Sequence, residues 1–168
     1  MSLSMSDASL PVILQYLENL SAILDKAASY CEARKIDPAV LLNCRLFPDM
    51  FPLVRQVQIV TDNAKGMTAR LAGIDVPSYA DTETTFPELK ARLAKTIAFV
   101  SGVAPEQING SEDRAISFKA GPTERHFTGQ RYLTHYALPN FFFHLMTAYA
   151  ILRSNGLDIG KKDFLGPI

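Results

Sequence analysis

The sequence lacks the features of a nucleic-acid-binding or membrane protein. Lysine plus arginine number 17 and aspartate plus glutamate number 17, so the formal net charge is zero, and no basic run stands out. Affinity for phosphates needs clustered positive charge, so nucleic-acid binding is not expected. No apolar segment reaches the roughly 18 uninterrupted residues of a membrane span. Residues 1–10 also lack the basic region of a signal peptide, and we expect a cytoplasmic protein.

Cysteines and familiar catalytic motifs are also scarce. Cys31 and Cys44 are the only cysteines, and no CxxC pair occurs. This indicates reduced thiols in or near the core, with a disulfide or a reactive thiol as the alternative. No phosphate-binding, dinucleotide-binding, zinc-protease or nucleophile-elbow motif is present. Whether the protein is an enzyme is therefore left open by its motifs.

The 168 residues do contain strong helical periodicity, which predicts one domain over residues 1–168. Long helices are expected over residues 10–34, 50–71, 86–100 and 129–155. The expected N-caps of the first three are Ser9, Asp49 and Thr85, and Thr85 with Glu88 matches a capping box. Residues 115–118 and 125–127 flank a turn and predict a short β-hairpin. We expect residues 157–168 to lie extended on the surface.

These elements predict an all-α fold, a four-helix bundle with a small β-hairpin or structured loop before the last long helix. On the second helix, the outward face is expected to carry the polar side chains Arg55, Gln58, Asp62 and Lys65.

Polar side chains interrupt two of the apolar faces. His144 lies in the most apolar face of the last helix, and Asn140 precedes it by one turn. Gln56 and Asn63 lie on the apolar face of the second helix. If these helices are neighbours, Gln56, Asn63, Asn140 and His144 converge on a ligand-binding site, with His144 as the candidate catalytic residue. The alternative is a satisfied hydrogen-bond network that fixes helix register.

The far side of the last helix is also apolar. Phe142, Met146 and Tyr149 lie there, which favours a homodimer, with packing by residues 163–165 as the competing explanation. His135 is on this side and is expected to be exposed or at a subunit contact. His126, in the hairpin, is expected to be solvated.

Five segments resemble a known family. LFPDMFP (46–52), RQVQ (55–58), PNFFFH (139–144), AYAILR (148–153) and GKKDFLG (160–166) are similar to an uncharacterised bacterial family, a domain of unknown function, within the DinB/YfiT-like putative metalloenzymes. The resemblance spans nearly the whole chain. It implies a DinB/YfiT-like four-helix bundle that is commonly dimeric.

The resemblance also implies a metal site. In the wider superfamily, a histidine on the second helix and a His-x3-His pair on the fourth bind zinc or nickel, and some relatives are thiol-dependent transferases or isomerases. Here Asn140 and His144 stand where the pair is expected, and Gln56 is the best match for the second-helix histidine. Amides are weak ligands for such ions. We therefore expect a degenerate site of His144, Asn140 and Gln56 without a resident metal.

Two functions follow as hypotheses. The first is a small-molecule site in the bundle core around His144, with a degenerate metal site as a variant of it. The second is a non-enzymatic, dimeric structural or stress-related protein whose polar core is purely architectural. An open site at His144 favours the first, and a network with every polar group satisfied internally favours the second.

Overall fold

The computed structural model describes residues 3–167 and contains four long helices. In chain order the elements are α1 (Leu10–Arg34), α2 (Pro38–Leu42), α3 (Leu53–Ala72), α4 (Phe86–Ser101), α5 (Pro105–Ile108), β1 (Ala115–Ala120), β2 (Thr123–Thr128), α6 (Gly129–Tyr132), a π-helical segment (Leu133–Ala137), α7 (Leu138–Ser154) and α8 (Lys161–Leu165). The strands form an antiparallel hairpin in which Ala115 pairs with Thr128. The prediction of a helical bundle with a hairpin before the last long helix is confirmed.

The helices pack in the order α1, α4, α3, α7. Gln58 on α3 donates to Glu83 just before α4 begins, and the Arg114 guanidinium beyond the end of α4 occupies the space where a Cβ of Gly73 would lie. Helices α3 and α4 therefore run in the same direction. Helix α1 runs the opposite way, because the backbone N–H of Ser6 donates to Asn109 beyond the end of α4.

The start of α3 was predicted three residues too early. Pro52 is in an extended conformation and occupies the N-cap position, so α3 begins at Leu53 and not at Met50. Asp49 lies in a turn upstream and does not cap the helix. Phe51 precedes a proline, and proline disfavours the helical conformation in the residue before it. A helix could not pass through Phe51 without that steric cost.

The other helix starts were located correctly, although one cap works differently. The Glu88 backbone N–H donates to Thr85 Oγ1 at 3.3 Å and the Thr85 backbone N–H donates to Glu88 Oε2 at 3.0 Å, which confirms the capping box. Ser9 occupies the N-cap position of α1, but its hydroxyl donates to the carbonyl of Met5 at 2.7 Å. Its side chain therefore fixes the turn before α1 and does not cap the helix.

The supposed outward face of α3 is in fact largely covered. Residues 73–85 return along α3 between its end and the start of α4, and Gln58 and Lys65 are buried. Arg55 and Asp62 on the same face are half-buried. The prediction that this face is solvent-exposed was wrong, because the loop after α3 packs back onto the helix.

The C-terminal segment is not simply extended. Residues 161–165 form α8, which packs against α1, and Asp163 accepts from the backbone N–H of Gly160 at 2.7 Å. The ring of Phe164 contacts those of Tyr16 and Tyr149. This segment therefore covers part of the far face of the last helix, whereas Met146 remains 48% exposed.

None of the helices within residues 3–167 combines the length and apolarity needed to cross a bilayer. Both cysteines are free thiols; Cys31 is buried and Cys44 is half-buried.

Candidate functional site

The packing of α3 against α7 brings Gln56 and His144 together. His144 Nδ1 lies 2.7 Å from Gln56 Oε1, although the two residues are 88 positions apart in the chain. Gln56 is buried and His144 is half-buried. We call this contact the His144–Gln56 pair.

The orientation of the Gln56 amide decides which imidazole nitrogen carries the proton. Gln56 Nε2 donates to the backbone carbonyl of Phe51 at 3.0 Å, so Oε1 is the atom that faces His144. A carbonyl oxygen only accepts, so His144 Nδ1 must carry the hydrogen. In the neutral ring, Nε2 then holds the lone pair, ready to accept a proton or a hydrogen bond.

His144 is held in the neutral form. Burial lowers its pKa below the ordinary value, and the positive charge of Arg55 lowers it further. Because both effects disfavour the imidazolium cation, the ring is uncharged at neutral pH. The site therefore presents a neutral hydrogen-bond acceptor.

The surroundings of His144 are aromatic and partly open. The Phe143 ring stands edge-on to the imidazole, with centroids 5.1 Å apart, and is 57% exposed. Phe51, whose carbonyl holds Gln56, is 54% exposed. Within residues 3–167, Nε2 of His144 has no hydrogen-bond partner, and it is not among the polar atoms sealed from solvent.

The two asparagines of the predicted site do not join the pair. Asn140 Nδ2 donates to the carbonyl of Tyr136 one turn earlier, at 2.7 Å. Asn63 is half-buried two turns beyond Gln56, about 10 Å further along α3 by the helical rise. Among the described residues, neither asparagine hydrogen-bonds to Gln56 or His144.

The remaining histidines lie elsewhere and are exposed. His126 Nδ1 is 2.9 Å from Ser117 Oγ across the hairpin, and His135 Nδ1 is 2.7 Å from Thr134 Oγ1 within the π-helical segment. This confirms the prediction for His126, and for His135 it agrees with the first of the two predicted alternatives, exposure or a subunit contact.

A second polar cluster, centred on Arg92 of α4, was not predicted. We call it the Arg92 cluster; it contains Thr61, Ala80, Asp62, Asp81, Glu83 and Arg92. The Arg92 side chain is 2% exposed. Its Nε donates to Thr61 Oγ1 at 2.6 Å, and its Nη1 donates to the Ala80 carbonyl at 2.9 Å and to Glu83 at 3.0 Å. Its Nη2 contacts Asp62 at 2.8 Å and Asp81 at 3.0 Å.

A sequence signal for the Arg92 cluster does exist. Arg92 and Thr96 fall three and seven residues after Leu89, on the same helical stripe as Leu93, and all four are buried. An arginine inside an apolar stripe needs buried partners. The partners come from α3 and from residues 73–85, and helical periodicity alone does not identify them.

The donor set at His144 does not fit a zinc or nickel ion. Gln56 Oε1 already accepts from His144 Nδ1, and the Asn140 amide donates to a backbone carbonyl. Beside amide oxygens, which are weak neutral ligands, a single imidazole nitrogen remains, whereas protein zinc sites use three or four nitrogen, sulfur or carboxylate ligands. No group of three or more His, Cys, Asp or Glu placed to hold a metal occurs within residues 3–167.

Surface cavities among the described residues include four of about 350–480 Å³, and His144 lines none of these four. The cavity of about 350 Å³ lies between residues 78–83 and α4 and borders Arg92, Lys95 and Tyr79. The donors of Arg92 are already used by the cluster, so Arg92 offers none to a ligand in this cavity. His144 is half-buried and lies beside the exposed ring of Phe143.

The comparisons with known proteins agree with this architecture. A DinB family member protein from Shewanella denitrificans, known from its crystal structure, is 39% identical; the match covers 96% of this chain and 92% of that one, with a TM-score of 0.88. No protein with a curated description matches the chain in sequence. The family model described as "Domain of unknown function (DUF1993)" matches residues 5–165. The chain therefore belongs to this family of unknown function, and its fold is DinB-like.

Proposed function

We propose that this protein binds a small molecule at His144, with Gln56 as the positioning residue and without a resident metal. The observation that carries the proposal is the unpartnered, solvent-accessible Nε2 of a neutral imidazole. Its partner nitrogen is fixed by Gln56, which is itself fixed by the Phe51 carbonyl. The hydrogen bond from His144 to Gln56 and the one from Gln56 to the Phe51 carbonyl orient the imidazole before any ligand binds.

The chemistry available to this arrangement is that of a neutral base. A lowered pKa keeps Nε2 unprotonated at neutral pH, so it accepts a hydrogen bond from a ligand or takes up a proton. Protonation at Nε2 would create an imidazolium whose Nδ1–H still donates to Gln56 Oε1. The pair therefore supports either ligand binding alone or general-base catalysis, and in both cases His144 is the residue that touches the ligand.

Ring-¹⁵N-labelled histidine offers a direct test, because the chain has three histidines. The ring signals of His144 are assigned by their loss in His144→Gln, and His126 and His135 serve as internal controls. We expect the Nδ1–H tautomer at His144, and we expect members of a diverse fragment mixture to shift its Nε2 signal. The opposite tautomer, or no fragment shifting that signal at millimolar concentration, would remove the proposal.

The second candidate is a dimeric, non-enzymatic protein with an architectural polar core. It is favoured by the exposure of large apolar side chains near the pair, since apolar patches often mark subunit contacts. A homodimer through this surface would cover Phe51, Phe143 and Met146. Sedimentation equilibrium distinguishes the two: a concentration-dependent dimer that Phe143→Asp converts to a monomer supports the second candidate, and a wild-type monomer rejects it.

A further inference from the structure

We infer that the ligand of the His144 site is a neutral aromatic compound that carries a hydroxyl donor, of the phenol class. This inference rests on the proposed function and adds the chemistry of the ligand. Three features of the site carry it: the hydrogen-bonding role of Nε2, the charge of Arg55, and two exposed aromatic residues, Phe143 edge-on to His144 and Phe51 bonded through its carbonyl to Gln56.

The first feature requires the ligand to bring a hydrogen. Gln56 assigns the imidazole proton to Nδ1, so Nε2 only accepts. An ether, a ketone or an ionised carboxylate offers only acceptor atoms, and its lone pairs would face that of Nε2. A ligand with an O–H group gives the complementary contact.

The second feature concerns charge. Arg55 neighbours the site, its guanidinium lies 6.0 Å from the centroid of the Phe51 ring, and its positive charge already disfavours a cation at His144. A protonated amine would meet the same repulsion, although the ion pair between Arg55 and Asp81 partly compensates it. With cations disfavoured by Arg55 and acceptor-only anions disfavoured by Nε2, a neutral donor remains.

The third feature concerns shape. Phe143 and Phe51 are each more than half exposed, and His144 itself is half-buried. A flat ring packs well against an exposed aromatic side chain, since aromatic rings pair edge-to-face or offset-stacked. A phenol combines this flat apolar body with the required O–H donor.

Matched probes test the inference in the ring-¹⁵N-histidine experiment. 4-Chlorophenol is titrated against the protein beside 4-chloroanisole, which has the same ring without the donor, and cyclohexanol, which has the donor without the aromatic ring. We expect 4-chlorophenol to shift the His144 Nε2 signal saturably. We expect each of the other two compounds to bind with an affinity at least about tenfold lower than that of 4-chlorophenol.

Variants locate the contact. Phe143→Ala removes an exposed ring without touching the His144–Gln56 bond, and we expect it to weaken 4-chlorophenol binding about fivefold. Ile74→Ala, at an exposed apolar position just beyond α3, and His135→Gln serve as matched controls that leave binding unchanged. Circular dichroism melting establishes that each variant is folded.

The outcomes separate the two proposals. Equal binding of 4-chloroanisole overturns the donor requirement, and equal binding of cyclohexanol overturns the aromatic one. If other fragments shift His144 while 4-chlorophenol does not, the ligand class is wrong and the proposed function stands. If no compound shifts His144, both fall.

Discussion

The two polar clusters beside α3 differ in how completely their hydrogen bonds are satisfied. In the Arg92 cluster, all five N–H groups of the guanidinium have partners, and the side chain is 2% exposed. In the His144–Gln56 pair, one imidazole nitrogen is bound and the other is open. The Arg92 guanidinium therefore has a structural role, because all of its N–H donors have partners and none is left for a ligand. An oriented acceptor with a free lone pair is what a binding site needs.

Arg55 connects the two clusters. On α3 it pairs with Asp81, which also contacts Arg92, and it contributes to the lowered pKa of His144. The anchoring of residues 73–85 thereby sets part of the electrostatic environment of His144. The architectural cluster and the candidate site are thus different in role but not independent.

The largest effect is expected from breaking the Arg92 cluster. Arg92→Met should lower the free energy of unfolding by about 2–4 kcal/mol, because Asp62, Asp81 and Glu83 lose their shared partner. This expected loss of stability is smaller than that for breaking a fully buried ion pair, since the Asp62 and Asp81 side chains retain 34% and 37% exposure.

Urea unfolding measures this loss, and Arg131→Met is the matched control. Arg131 is an exposed arginine on α6, away from residues 73–85, and its replacement should change stability by no more than about 0.5 kcal/mol. Equal losses for both variants would show that the Arg92 cluster is not the anchor described above.

A smaller effect is expected at the candidate site. His144→Ala should lower the free energy of unfolding by about 1–3 kcal/mol, because the buried Gln56 loses the donor to its Oε1. His135→Ala, at an exposed position, should cost less than about 0.5 kcal/mol. In a cycle with Gln56→Met, the two losses at the pair should not add. An unchanged melt for His144→Ala would mean that the ring does not hold Gln56.

The pH dependence sharpens the contrast further. The folded state lowers the pKa of His144, so the unfolded chain binds the proton more readily. Stability from the neutral ring is present above the ordinary pKa of about 6.5 and is lost as the pH falls through the lowered folded value. The slope for one proton is at most about 1.4 kcal/mol per pH unit. His144→Gln should flatten the decline that begins as the pH falls below about 6.5; a parallel decline would assign it to other groups.

The smallest expected effect is that of metal removal. One imidazole nitrogen and two weakly ligating amide oxygens do not hold zinc or nickel, so chelation with EDTA should leave the melting temperature unchanged. Added zinc should not raise it either, whereas a bound ion would stabilise the folded state. Elemental analysis that finds one zinc or nickel per chain would overturn this expectation.

Local sequence signals predicted most helix positions well, but they predicted poorly which segments pack against each helix. The capping box at Thr85, the apolar period of α1 and the turn of the hairpin are encoded within a few residues, and each appears where it was expected. The prediction that Asp49 caps α3 was wrong, because Pro52 disfavours the helical backbone conformation at Phe51. The predicted exposed face of α3 failed because a loop packs on it.

The sequence by itself determined the fold class, the family and the placement of His144 and Gln56 on apolar faces, since periodicity, caps and motifs are properties of neighbouring residues. Only the tertiary structure decided which polar groups meet. Gln56 reaches His144 across 88 positions and Arg92 reaches Asp62 across 30, while Asn140 bonds within its own helix. The physical reason is that a side-chain hydrogen bond needs its two atoms within about 3 Å, and that proximity follows from how the helices pack and not from the face on which each residue lies.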